Sequence, residues 1–552
     1  MSFDNLPVEL YSTILLHIPP RFRQQTVLTL SRALPLSPIP LSYLFHSVRI
    51  SHPDQAVTLN QRLRATNSRQ DTQGGESLAS LVFEFSLETW KVDADVLINL
   101  ISLLQNLTSL RLWIGPNFAP EHLEEMFSRY MPNLRHLSLR FRPYVQKATY
   151  FQFLKGAYFD STLAAISAWP PSSHELPTLS IVQDPFLPDP SQIKQRFAQP
   201  IVFFRLDPVL SHLVHSPLSC GSLKYLRIRV PARAIVQALI THLNPRPDLG
   251  SSMPPLIELL DASTCSILDT DIDTLLVTFK KLKHLILDRC VNLLRGGTGP
   301  GMGQELEWWS ALGKRCALVG VRRAREKEKE IKAWFETQIR NSASTENDNT
   351  NTGTAANNRR PKRGRKGLAT ATMSLRAPTP SIMPGSLSNA GKARIATQPK
   401  LSVPPKIQII PPLPSLLSLS LSPTIIAHPT SPEIRDLVTT EFEKGWRDGM
   451  RVLWEKRGRL GASIARNMNG STKTRFLKFK EEDCEDVADD FEGLEEIGPD
   501  DLKILSEPVN ENGFPRLTDI PILCIGGPGQ DGGIHRDSCG HSVSQGIWAD
   551  EP

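Results

Sequence analysis

The pattern Leu-x-x-Leu-x-Leu recurs through the first half of the chain and constrains its fold more than any other feature. It reads Leu78-x-x-Leu81-x-Phe83, Leu107-x-x-Leu110-x-Leu112, Leu134-x-x-Leu137-x-Leu139, Leu176-x-x-Leu179-x-Ile181, Leu223-x-x-Leu226-x-Ile228 and Leu282-x-x-Leu285-x-Leu287. Leu256-x-x-Leu259 is a partial copy, and Leu416-x-x-Leu419-x-Leu421 is a late one. The first three copies are 29 and 27 residues apart, and those beginning at 256 and 282 are 26 apart. Side chains alternate along a strand, so the last two leucines of each copy share one face. A single unit of this length cannot bury that face. Stacked neighbours can, and the leucines then merge into one core.

Ahead of the repeats lies Leu6-Pro7-Val8-Glu9-Leu10, continuing with apolar residues at 14, 15 and 18 up to Pro19-Pro20. That is helical spacing with one apolar face. Pro7 suits a first turn, and Glu9 sits where the helix dipole favours negative charge. In position and order the segment resembles the opening helix of an F-box, the short domain that docks the adaptor of cullin-RING ubiquitin ligases. Val27-Leu28-x-Leu30-Ser31-Arg32 reads as a second helix, and Leu41 to Ile50 resembles the closing stretch of that family. Ser31-Arg32-Ala33 stands where the family often carries Cys-Arg-x-Trp. The run from Cys265 through Leu282-x-x-Leu285-x-Leu287 to Cys290 resembles the cysteine-containing repeat of F-box leucine-rich-repeat proteins, in which the cysteine is a small buried hydrophobe.

The resemblance implies an α/β chain with a small N-terminal all-helical F-box, residues 1–50, and an irregular leucine-rich-repeat solenoid over 75–321. By composition, a disordered basic linker, 341–405, would follow, then a late repeat strand and closing helix, 411–460, and an acidic, glycine-rich disordered tail, 470–552. It further implies a substrate-recognition subunit of an SCF-type ubiquitin ligase. Leu6, Pro7, Leu10, Ile14, Leu15 and Ile18 would contact the adaptor and, through it, the cullin scaffold. Ubiquitin transfer would occur on other subunits, so the chain itself would be no enzyme and would need no cofactor.

Strand alternation turns the residues between the leucines away from the core. Arg111, Trp113, His136, Arg140, Tyr225, Arg227 and Arg229 are therefore the expected target-binding residues. Arginines mixed with aromatics suit an acidic or phosphorylated partner segment, although exposed strand positions also take soluble residues without any partner. Arg227 and Arg229 point the same way, and reversing both charges is expected to leave stability unchanged.

Composition sets further limits. Forty-five prolines in 552 residues indicate folded blocks separated by other chain, and the formal charge is +6. Seven scattered cysteines without a Cys-x-x-Cys pair argue against a disulfide framework. No signal peptide is expected, and the apolar stretch Ile407–Ile426 is broken by four prolines, so no membrane span is expected either. A nuclear and cytoplasmic location follows. Arg359, Arg360, Lys362, Arg363, Arg365 and Lys366 form a dense basic run that reads either as a nuclear-import signal or as an AT-hook in the minor groove. The second reading belongs to the alternative functions, a chromatin-associated nuclear protein or a repeat scaffold whose F-box no longer binds the ligase. Catalytic constellations are absent. Cys524, His535, Cys539 and His541 match none of the usual paired zinc spacings and are set aside, so no metal is expected.

Overall fold

The computed structural model describes residues 6–40, 42–70, 77–143, 158–170, 176–185, 202–216, 222–240, 256–293, 302–348, 406–422, 432–468, 474–480, 493–498, 520–526, 535 and 538–548. The chain divides into two units: Met1–Arg323 with Pro411–Ala462 and Asp500–Pro552, and Ala324–Ile410 with Ser463–Pro499.

The larger unit is built on one sheet of ten strands, all parallel: β1 (Ser47–Ile50), β2 (Glu84–Leu87), β3 (Ser109–Ile114), β4 (His136–Phe141), β5 (Thr178–Gln183), β6 (Tyr225–Arg229), β7 (Leu259–Asp261), β8 (His284–Ile286), β10 (Ser418–Ser420) and β13 (Ile522–Cys524). Their order in the sheet follows their order in the chain. Parallel neighbours need a crossover long enough to return to the starting edge. Helices supply it: Pro53–Gln70, Ala94–Leu103, Pro120–Ser128, Asp160–Ser167, Leu206–Val214, Val236–Ile240 and Asp269–Thr278 each fall between successive strands. The Ala94–Leu103 helix shows the local logic. Asp93 caps it by accepting from the amides of Asp95 (2.9 Å) and Val96 (3.3 Å), and Leu97, Leu100 and Ile101 face inward.

Register turns the leucine pattern into a core. Val48, Phe85, Leu110, Leu137, Leu179, Leu226, Leu260, Leu285, Leu419 and Leu523 lie directly across from one another, strand by strand. With few exceptions they are buried among the helices. Sequence spacing misplaces two copies. Leu78–Leu81 is a 3-10 turn, and the unit in register is Val82-x-x-Phe85-x-Leu87. Near 256 the inward residues are Ile257, Leu260 and Ala262, so Leu259 faces the opposite side of the sheet.

The expected architecture, a separate all-helical F-box followed by a leucine-rich-repeat solenoid with a disordered insertion and tail, is corrected by this sheet. Helices accompany the strands along the chain and are not gathered at its start. The segment expected to be purely helical ends in β1, which pairs with β2. The tail expected to be disordered supplies β13 and the helix Gly540–Trp548. The physical reason is that Phe45-x-x-Val48-x-Ile50 and Ile520-x-x-Leu523-x-Ile525 carry the same inward pattern with a single leucine between them, other apolar residues filling the remaining places. No helix of the described residues is long and apolar enough to cross a membrane.

Two long helices complete the larger unit's core. Pro432–Met468 turns Val438, Phe442, Trp446, Met450 and Leu453 inward. It crosses Met302–Ala317 so closely that a Cβ on Gly445 would lie 1.8 Å from the Ser310 carbonyl oxygen, and one on Gly313 would lie 2.1 Å from that of Phe442. Only glycine permits that approach.

The smaller unit has its own sheet, β12 (Leu494–Glu496), β11 (Thr474–Phe479) and β9 (Lys406–Ile409), with β11 parallel to β9 and antiparallel to β12. Ala324, Ile331, Ile409, Leu477 and Leu494 form its core. The helix Val319–Asp348 runs into the start of the expected 341–405 linker, and the remainder of that linker as far as 405 lies outside the described residues.

Candidate functional site

Three short helices, Val8–His17, Pro20–Ala33 and Ser42–Phe45, precede β1 and share a small core of Tyr11, Leu15, Val27 and Ile39. Arg23 closes the first helix by donating to the Leu15 carbonyl at 2.9 Å and sits over the Tyr43 ring at 5.7 Å. Gln24 donates to the carbonyls of Leu44 and Ser47. Of the residues expected to meet an adaptor, Leu15 is buried in this core and Leu6 and Ile18 are half-buried against it. Pro7, Leu10 and Ile14 are exposed, with Leu10 at 46%. The expected stripe is therefore split between core and surface. Leu16 (62% exposed), Phe22 (47%), Val8 and Leu28 add to the apolar surface.

The face of the sheet turned away from the helices is polar. Across its middle the register places Arg49, Ser86, Arg111, Ser138, Ser180, Arg227, Asp261, Ile286, Ser420 and Cys524 in one row. All seven expected target-binding residues lie on this face, but they fall into two environments. On β3 and β4, Trp113 stacks on Trp90 with ring centroids 4.9 Å apart, and Arg140 lies over the Trp113 ring at 5.3 Å while pairing with Asp184 at 2.8 Å. Arg142 lies over Trp90 at 5.7 Å. His136 and Arg111 are half-buried beside this group. Burial, followed by the charges of Arg111 and Arg227, pushes His136 down to about 3, so it stays neutral at physiological pH.

The β6 residues are different. The helix Gly540–Trp548 lies over them, with Trp548 in one buried cluster with Leu259 and Ile286 and with Tyr225 packed against that cluster. The Arg227 guanidinium sits 4.1 Å from the centroid of the Trp548 ring, donates to Ser544 Oγ at 3.2 Å and faces Asp261 at 3.4 Å. Arg227 is only 4% exposed and Asp261 is fully buried. Arg229 binds the same carboxylate through Nε (3.0 Å) and Nη2 (2.7 Å). Burial alone would raise the Asp261 carboxyl, but the charges of Arg229 and Arg227 outweigh it and hold the group at about 2. Arg227 is thus a buried ion-pair residue, which corrects its expected place on an open recognition face. Cys265 and Cys290 are buried as well, donating to the carbonyls of Ile228 and Ala262, and burial pushes the Cys265 thiol up to about 12.

The same helix brings together the four residues that sequence spacing set aside. Cys524 ends β13, His535 follows eleven residues later, and Cys539 and His541 flank the start of the helix. Their ligand-capable atoms all lie within 4.8 Å of one another. Cys524 Sγ is 3.4 Å from His535 Nδ1 and 3.3 Å from His541 Nδ1, and Cys539 Sγ is 3.9 Å from His535 Nδ1. The other ring nitrogen of His541 hydrogen-bonds Asp288, which is buried just beyond β8. Two thiols and two imidazoles converging in this way could hold a metal ion. Asp261, Asp288, Ser544 and Trp548 carry no sequence signal of their own, because each acts across a contact made only in the fold. The basic residues Arg359, Arg360, Lys362, Arg363, Arg365 and Lys366 lie outside the described residues.

No protein-family model matches the chain, and no curated protein matches it in sequence.

Proposed function

We propose that the chain is a substrate-recognition subunit of an SCF-type cullin-RING ubiquitin ligase. The observation that carries the reading is the apolar surface of the first two helices. Leu10 and Ile14, one turn apart on the same helix, are exposed, as are Leu16, Phe22 and Leu28. These helices have a core of their own in Tyr11, Leu15, Val27 and Ile39, so the exposed side chains are not needed to fold them. Exposed apolar side chains gathered on short elements mark a surface that a partner covers. The resemblance of residues 6–19 to an F-box opening helix names that partner as the ligase adaptor.

Target recognition falls to the β3 and β4 part of the sheet face, which lies apart from the Gly540–Trp548 helix among the described residues. Trp90 and Trp113, stacked and overlaid by Arg140 and Arg142, form an aromatic–arginine surface of the kind that dominates binding energy at interfaces. The exposed Arg142 beside the Arg140–Asp184 pair gives it a positive charge that suits an acidic segment. The mechanism is proximity: one end of the chain holds the adaptor, the sheet holds the target, and ubiquitin transfer takes place on other subunits.

The test is co-purification of adaptor and cullin with the tagged chain from cells. Both should be recovered with the wild type. Leu10→Asp with Ile14→Asp should lose both while Trp113→Ala with Arg140→Ala retains them. Equal recovery with the Asp variant would rule out these helices as the docking surface.

A further inference from the structure

We propose that Cys524, His535, Cys539 and His541 form a structural zinc site that fastens the Gly540–Trp548 helix to the sheet. The donor set points to the metal. Two thiolates with two imidazoles in a tetrahedron is a zinc set, whereas calcium and magnesium take oxygen ligands. Size agrees too. Zinc bonds of about 2.3 Å to sulfur and about 2.0 Å to nitrogen, at tetrahedral angles, place neighbouring ligand atoms roughly 3.3–3.8 Å apart. The observed sulfur–nitrogen separations of 3.3, 3.4 and 3.9 Å lie within a few tenths of an ångström of the roughly 3.5 Å such a pair requires, and all four ligand atoms lie within 4.8 Å of one another.

Two further features distinguish the cluster from a chance gathering of polar side chains. His541 directs Nδ1 at Cys524 Sγ and its opposite nitrogen at the buried Asp288 carboxylate. A carboxylate holding the far N–H of a ligating histidine fixes the tautomer and leaves the near nitrogen's lone pair for the metal. Burial is the second feature. Cys524, Cys539 and His541 are buried and His535 is half-buried, so four protein ligands would close the site and leave no position for a substrate. That is the pattern of a structural metal, not a catalytic one. Zinc takes two thiolates and two neutral imidazoles, and whatever protons these four groups carry in the metal-free chain pass to solvent on binding.

The need for such a fastening is visible in the sequence. Gly526-Gly527-Pro528-Gly529 and Gly532-Gly533 leave the chain between β13 and the helix poor in apolar side chains. The helix itself contributes chiefly Trp548, Val543 and Ile547 to the sheet face. Metal ligation adds what this small contact lacks, and it explains how a segment of disordered composition covers Arg227.

The experiment uses the full chain purified without chelator. Elemental analysis should find about one zinc per chain, retained through gel filtration. Removal of zinc and titration with cobalt should give the intense visible absorption of tetrahedral cobalt with a thiolate charge-transfer band. This arm needs no variant and does not depend on one folding. Cys524→Ser with Cys539→Ser should abolish both signals, and Cys220→Ser with Cys484→Ser should preserve them. Substoichiometric zinc lost on gel filtration, an octahedral cobalt spectrum, zinc retained by the Cys524→Ser, Cys539→Ser variant, or a disulfide between these two cysteines would each overturn the assignment.

Discussion

Replacing Asp261 with alanine should destabilise the sheet far more than a surface charge deletion. Its carboxylate is fully buried and shared by two guanidiniums, Arg229 at 2.7 Å and Arg227 at 3.4 Å. Arg229 has a side chain 17% exposed and can turn toward water. Arg227, beneath Trp548, cannot do so without lifting the helix. Asp261→Ala therefore takes from the buried Arg227 cation the carboxylate it faces, a change that costs about 3–5 kcal/mol. Each kcal/mol lowers the melting temperature by about 2–4 °C in a 150–250-residue domain and by about half as much in a unit as large as this one, so a fall of about 3–6 °C is expected. Arg227→Met in the same background should restore part of the loss, because it removes the stranded charge and keeps an apolar stem under the indole. Differential scanning calorimetry of the wild type, Asp261→Ala, Arg227→Met and the double variant measures both effects. A loss below about 1 kcal/mol for Asp261→Ala, or strict additivity of the two changes, would show Arg227 to be hydrated and the helix not to cover it.

Further outcomes follow from other contacts. Gly445→Ala should cost several kcal/mol in urea denaturation, because its methyl would lie 1.8 Å from the Ser310 carbonyl and must push two helices apart, an overpacking change of about 1–3 kcal/mol or more. Asp288→Asn should weaken zinc binding by roughly 10–100-fold in competition with a chromophoric chelator, by loosening the orientation of His541. Asp261, held at about 2 against an ordinary 3.8, contributes stability that is complete above the ordinary value and lost as pH falls through about 2. By linkage this amounts to roughly 2–3 kcal/mol. The wild type should therefore lose melting temperature more steeply than Asp261→Asn as pH is lowered from about 4 to about 2.

The leucine spacing made the inward face of the sheet legible because at β3, β4, β5, β6 and β8 the buried positions are leucine or isoleucine in the expected order. It faltered where other apolar residues fill the same places. Phe85 and Leu87 are the inward pair of β2, yet Leu78 and Leu81 offered a more leucine-rich match a few residues early. The edge strands carrying Val48 and Leu523 were invisible for the same reason. Alternation also identified which side chains turn away from the core, but not which of them another segment covers. Arg227 and Trp548 are more than three hundred residues apart, and nothing local to either announces their contact. The four metal-ligand candidates come from a strand end, a connecting segment and a helix start. Their spacing in sequence has no regularity because it reflects that path rather than a compact loop. In the first helix the apolar positions were legible, but two inward-facing residues, Tyr11 and Leu15, had to be placed before Leu10 and Ile14 could be recognised as surface.

Direct titration of the purified adaptor into the purified full chain tests, without cellular intermediaries, whether the first helices bind the ligase adaptor. Isothermal calorimetry should show a one-to-one complex with Kd of about 1 μM or tighter, equivalent to about −8 kcal/mol, and a negative heat-capacity change from burial of Leu10, Ile14 and Phe22. Leu10→Asp with Ile14→Asp should abolish the heat while leaving the melting temperature near that of the wild type, since both side chains lie outside the core. Absence of binding by the folded wild-type chain, or undiminished binding by the double variant, would contradict the account.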